Sequence, residues 1–191
     1  VEGSFSLDQF DVTPGAYSGT FGDGSTGLAL ALSATASAPV VGASGTLHLI
    51  ELTNTAGQSW LGVEATDLNF ELAFGPLNMS VTNGALEVNQ APDGQAKLDW
   101  TTVVAETAAP FNLSVAAATN IHVEGDASID FAGLVTVEGS FSLDQFDVTP
   151  GAYSGTFGDG STGLALALSA TASAPVVGAS GTLHLIELTN T

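Results

Sequence analysis

The feature that most constrains this chain is an exact internal repeat. Residues Val1 to Thr55 return letter for letter as Val137 to Thr191, a period of 136 residues. Substitutions at exposed positions usually change stability by less than about 0.5 kcal/mol, so a shared fold alone does not keep 55 residues identical. The identity points to homogenised or recently duplicated tandem copies, or to a fusion. The chain divides accordingly: 1–136 is one full period and 137–191 is the first part of the next. Val137 sits inside a continuous pattern, IDFAGLVTVEGSFSLDQF, so Val1 marks no natural boundary. We therefore read the chain as a window on a longer tandem array. A period of this length exceeds that of common solenoid repeats and is large enough to bury a core of its own.

The local periodicity is that of strands. Val1, Gly3, Phe5 and Leu7 alternate with Glu2, Ser4, Ser6 and Asp8, the period of a half-buried strand. After Asp8 the apolar phase moves to Phe10 and Val12, which predicts a β-bulge at Asp8–Gln9. Leu28, Leu30 and Leu32 alternate with Ala29, Ala31 and Ser33; two-residue spacing predicts a strand despite the alanines. Its small-residue face is suited either to close approach of another sheet or backbone, or to solvent. Further strands are predicted over 45–53 and 59–74. Asn83–Gly84, between two alternating runs, predicts a hairpin turn, and 91–94 a further turn. Over 105–119 the alanines permit a short helix, Pro110 breaks it, and 111–115 (FNLSV) reads as strand. About ten strands per period are expected. The fold class is all-β, a predominantly antiparallel β-sheet repeat unit, arranged as a β-sandwich or a broad β-solenoid. Sheets that run from one repeat into the next would leave few exposed edges.

Charge narrows the partners. The chain carries 20 acidic residues, one Lys (Lys97) and no Arg, for a net charge of −19. It lacks the basic footprint that nucleic acid or an anionic membrane surface requires. Cations are the natural counter-partners, and salt would screen the self-repulsion. There is no cysteine, hence no disulfide framework. No run of 18 apolar residues occurs, so no membrane-spanning helix is expected.

Few constellations carry chemistry. His48, its copy His184, and His122 form no HExxH motif, and His48 reads as a surface residue opposite a leucine face. No GxSxG elbow is present. Asp8 with Asp11, and Glu124 with Asp126, are acid pairs; residues two apart on a strand stand roughly 6–7 Å apart, within glycosidase range. With 7% aromatic residues there is little to build a sugar cleft, and a solvated acidic face is the better reading. Trp60 and Trp100 read as core. Asp23 (copy Asp159) in FGDGST and Asp93 in APDGQ stand in glycine-rich turns. Neither has EF-hand spacing, so no cofactor is required, and calcium at Asp23, Asp159 and Asp93 is the candidate ion.

The segments VEGSFSLDQF and NGALEVNQAPDGQAKLDW resemble tandem repeats of giant, acidic, cysteine-free bacterial secreted or surface proteins of the adhesin-like kind. The resemblance is one of style over most of the period, and it brings no catalytic residues. It implies an extracellular or cell-surface location and a structural, self-associating role, as a repeat of a fibre, stalk or surface filament. Its partners would be neighbouring repeats or chains. The alternative is an adhesin-type module that binds a glycan or protein and is stiffened by calcium. No enzyme is expected.

Overall fold

The computed structural model describes every residue except 14, 16, 149–155, 159 and 191, and the side chain of 106. Nine strands form one antiparallel sheet in chain order. They are β1 (Glu2–Asp11), β2 (Thr26–Ala38), β3 (Val41–Thr53), β4 (Ser59–Phe74), β5 (Leu77–Gln90), β6 (Ile121–Phe131), β7 (Val135–Asp147), β8 (Thr162–Ala174) and β9 (Val177–Thr189). The sequence-based class, an all-β antiparallel repeat unit, is therefore correct. One period holds six strands rather than about ten, because the runs are longer than expected and all lie in one sheet.

Identical sequence gives identical pairing. Glu2 faces Thr35 in the first copy and Glu138 faces Thr171 in the second; Thr26 faces Thr53 and Thr162 faces Thr189. The two periods join without a break. β6 pairs with β7 through eleven consecutive residue pairs, from Ile121–Gln145 to Phe131–Val135.

The register also drifts. The row through Phe5 runs Leu32, Leu47, Ala65, Leu86, Val123 and emerges at Leu143. The copy of Phe5 is Phe141, so one period shifts the rows by two residues. The bulges in β4 and β5 offset one another, since the row through Ala36, Ala43, Phe70, Val81, Ala127 and Gly139 on their other side drifts by the same two residues. An even shift keeps each side chain on its own face from period to period; an odd one would reverse every face.

The two faces differ. One carries Phe5, Leu7, Leu28, Leu30, Leu47, Val63, Phe70, Val88, Val123 and their row-mates, and none of the described residues covers it. The other is polar over most of its height, but at one end it is covered by 12–25 and 91–120. The covering segments hold a 3₁₀ turn (Trp100–Thr102) and a five-residue helix, α1 (Val103–Thr107), which stops at Ala108 in the left-handed region, φ +66°. They bury Val12, Phe21, Leu98, Trp100, Val103, Leu113 and Val115 against Ala29, Ile50, Leu52 and Trp60. The close approach depends on Gly62, where a Cβ would lie 2.6 Å from the Trp100 ring and 2.7 Å from Leu113.

Several expectations are corrected here. No bulge occurs at Asp8–Gln9, since β1 pairs with β2 without a register shift. Phe10 instead turns to the covered face, its ring lying over Gly27, because the cover begins there. Asn83–Gly84 is no hairpin turn but a bulge within β5, with Asn83 at φ +52°. The hairpins instead turn at 39–40, 54–58, 75–76, 132–134 and 175–176, with Gly57 (φ +78°), Gly75 (φ +60°), Ala132 (φ +54°) and Gly133 (φ +66°) at positive φ. Residues 111–115 are not a strand. Their backbone pairs with the 3₁₀ turn, Leu113 N–H donating to Trp100 O and Trp100 N–H to Val115 O. The small-residue face of β2 serves both uses: Ala29 near its start is buried under the loop cover, while Ser33, Thr35 and Ser37 further along are exposed.

Candidate functional site

The sheet register assembles a row of titratable groups that the sequence scatters. Across the polar face, His48 of β3 stands opposite Glu64 of β4, Glu64 opposite Glu87 of β5, Glu87 opposite His122 of β6, and His122 opposite Asp144 of β7. His48 Nδ1 is 3.8 Å from Glu64, and its ring packs on Phe111 at 5.0 Å between centroids. Glu64 also accepts from the Ser114 backbone N–H at 3.3 Å, which ties the covering segment to the sheet.

His122 has a carboxylate at each nitrogen. Nδ1 lies 2.5 Å from Asp144 and Nε2 lies 3.5 Å from Glu124. Partial burial works to lower its pKa, but the Asp144 hydrogen bond and the charges of Asp144, Glu124 and Glu87 outweigh it and hold the pKa above the ordinary value. Glu87 is raised as well: burial pushes it up, His122 opposes this, and the Glu64, Glu124 and Asp144 charges add to it. The flanking carboxylates favour its protonated form.

Lys97 makes the second link. Its ammonium donates to Asp147 Oδ2 at 2.6 Å, and Asn120 Nδ2 donates to Asp147 Oδ1 at 2.8 Å. The Lys97 and Asn120 hydrogen bonds hold the Asp147 carboxyl below its usual range. Lys97, Asn120 and His122 belong to the first period; Asp144 and Asp147 belong to the first strand of the second. Their counterparts Asp8 and Asp11 lie on β1, at the sheet edge. The Lys97–Asp147 and His122–Asp144 contacts thus cross the seam between periods.

A buried network supports the same region. Asn89, 2% exposed, donates to Leu98 O and Ala116 O and accepts from Trp100 Nε1, each at 2.9 Å. Trp60 Nε1 donates to Ala96 O at 3.0 Å. Both tryptophans are core residues, as expected. Sequence reasoning singled out neither Asn89 nor Lys97 as a site residue. The signal for Lys97 was its being the chain's one basic side chain.

The calcium candidates are not brought together. Asp23 is exposed in a turn closed by Ser25 N–H to Gly22 O at 3.0 Å. Asp93 is exposed in a separate turn closed by Gln95 N–H to Pro92 O at 3.0 Å. Asp159 lies outside the described residues. Among the described residues no group of three or more His, Asp or Glu is placed to hold a metal ion. Glu124 and Asp126 share the polar face, Asp126 accepting from Asn83 Nδ2 at 2.9 Å. The groove beside Asp126 is lined by Thr82, Ser128, Glu138, Ser140 and Thr171, and both tryptophans are buried elsewhere. Among the described residues no helix is long and apolar enough to cross a membrane. In comparisons with known proteins the chain matches no family model, no curated protein and no solved structure.

Proposed function

We propose that this chain is a structural repeat of a long extracellular fibre, stalk or surface filament, in which tandem units extend one continuous sheet. The observation that supports this is the seam. The copy of β1 is paired with the last strand of the preceding period along its length, and Lys97 and His122 of one period are spent on aspartates of the next. Such a junction transmits load through backbone hydrogen bonds in every unit, and stability becomes a sum of unit and nearest-neighbour terms. The acidic, cysteine-free composition suits an exposed, saline setting.

Strand spacing gives the test. Six strands at about 4.8 Å advance the sheet by roughly 29 Å per period. Chains of two, four and six full periods, imaged by electron microscopy, should lengthen by that amount per period as unbeaded ribbons. Separate beads joined by flexible links would refute the proposal. Beads whose melting temperature rises with calcium would favour the binding-module alternative.

A further inference from the structure

We propose that the open apolar face of the sheet docks on the same face of a second copy of this chain, the two sheets packing as the layers of a sandwich. The face is continuous over nine strands and is exposed at large side chains: Phe5 and Phe74 are 75% and 74% accessible, and Leu32, Phe70, Ile129 and Phe131 between 37% and 48%. Monomeric proteins rarely expose apolar patches beyond a few hundred square ångströms. Nine strands at about 4.8 Å spacing and ten residues of height at about 3.4 Å give a face of roughly 1,400 Å². About 800 Å² per partner suffices for a stable protein interface. This inference does not depend on the tandem continuation, which uses the sheet edges.

Charge is arranged for this partner. Two chains of net charge −19 repel unless their carboxylates are kept apart. Alternation along each strand does that. Glu64, Glu71, Glu87, Glu124, Asp126 and Asp144 point to the polar face. On the apolar face, Asp11, Glu51 and their copies stand only at the loop-end rim, and Asp67 stands in a bulge. Face to face, the acids lie on the two outer surfaces. The shape also suits a sheet. Ala34, Ala36, Ala43 and Gly45 floor a shallow groove between Leu32 and Leu68, and small residues beside large ones let facing layers interdigitate.

A bilayer fits the same face less well. Membrane barrels tilt their strands by about 35–45°. Here a two-residue stagger over six strands, about 7 Å in 29 Å, sets an inclination of only about 13°. Membrane-facing sheets also carry aromatic girdles. Among the described residues the aromatics of this face are phenylalanines, while Trp60 and Trp100 lie in the covered core on the other side and Tyr17 in the covering loop.

The test is the solution mass of the 19.0 kDa chain by light scattering and sedimentation equilibrium. A mass twice that of the chain is expected, reverting to the single-chain mass in Phe70→Asp/Ile129→Asp while the far-UV circular dichroism is retained. Phe70→Ser/Ile129→Ser gives a second, uncharged disruption should the acidic pair unfold the chain. Ser128→Glu on the polar face should leave the dimer intact. A wild-type monomer at 100 µM (a concentration chosen on the order of ordinary interface affinities) overturns the proposal. So does a monomer that floats with phosphatidylcholine vesicles, which would assign the face to lipid. An assembly that survives both double substitutions is paired through its edges, and overturns it too.

Discussion

At the residue scale, the buried Asn89 and the flanked His122 make the sharpest predictions. Asn89 satisfies three groups inside the cover, so Asn89→Leu strands the Trp100 N–H and two carbonyls. Each buried group left unpaired costs about 1–3 kcal/mol, so with three such groups a loss of at least about 3 kcal/mol is expected in urea unfolding. A change below about 0.5 kcal/mol, the size of an ordinary surface substitution, would show the network to be unimportant. His122 has its folded pKa raised. The stability it contributes is therefore fully present below its unfolded pKa, near 6.5, and is lost as pH rises through the higher folded value. His122→Gln should flatten the stability profile across that interval; an unchanged slope would refute the role. Glu87, also raised, acts in the same direction, since acidification relieves its burial and its repulsion by Glu64, Glu124 and Asp144. Asp147 has the opposite sign: its pKa is lowered, so its contribution is present above its unfolded pKa and fades as pH falls through the folded one.

At the element scale, the fold depends on a cover lying close to the strands. Gly62 in β4 marks the closest approach, with Trp100 and Leu113 less than 3 Å from where a Cβ would stand. Overpacking of this kind costs about 1–3 kcal/mol. Gly62→Ala should therefore destabilise the chain by that amount and quicken amide exchange in 97–115, which a spectrum matching wild type would contradict. The repeat provides a natural control for the cover. Ile50 and Leu52 are fully buried, while their copies Ile186 and Leu188 lie on β9, the edge strand, with no counterpart of β4 or of the 91–120 cover among the described residues, and are 69% and 45% exposed. The same letters on the equivalent strand differ in what lies beside and over them. This is also why Asn83–Gly84 misleads as a hairpin: its neighbours favoured a turn, but β5 continues past it on pairing with β4 and β6.

At the scale of the whole molecule, the seam between periods should be tunable on its own. Lys97→Met removes the ammonium from Asp147, whose side chain is 66% exposed, and exposed pairs contribute about 0.2–1 kcal/mol. Faster hydrogen exchange in β7, with β3 and β4 unchanged, is the expected result. Uniform protection in both regions would show that the clasp does not stabilise the seam. The site was scarcely legible beforehand. His122 and Asp144 are 22 residues apart and Lys97 and Asp147 are 50 apart, and only the pairing register brings either pair into contact.

The sequence by itself determined the period of 136, the all-β class, the strand over 59–74 and the burial of Trp60 and Trp100, because alternation and side-chain size are local properties. It also required that the two faces of each strand differ. Which face would be covered, where the hairpins turn, how 111–115 is used and the two-residue drift per period were decided only by the tertiary structure. These depend on contacts between segments tens of residues apart: the 91–120 cover finds its seat on β2, β3 and β4 only once those strands are aligned, and that alignment leaves the leucine face bare.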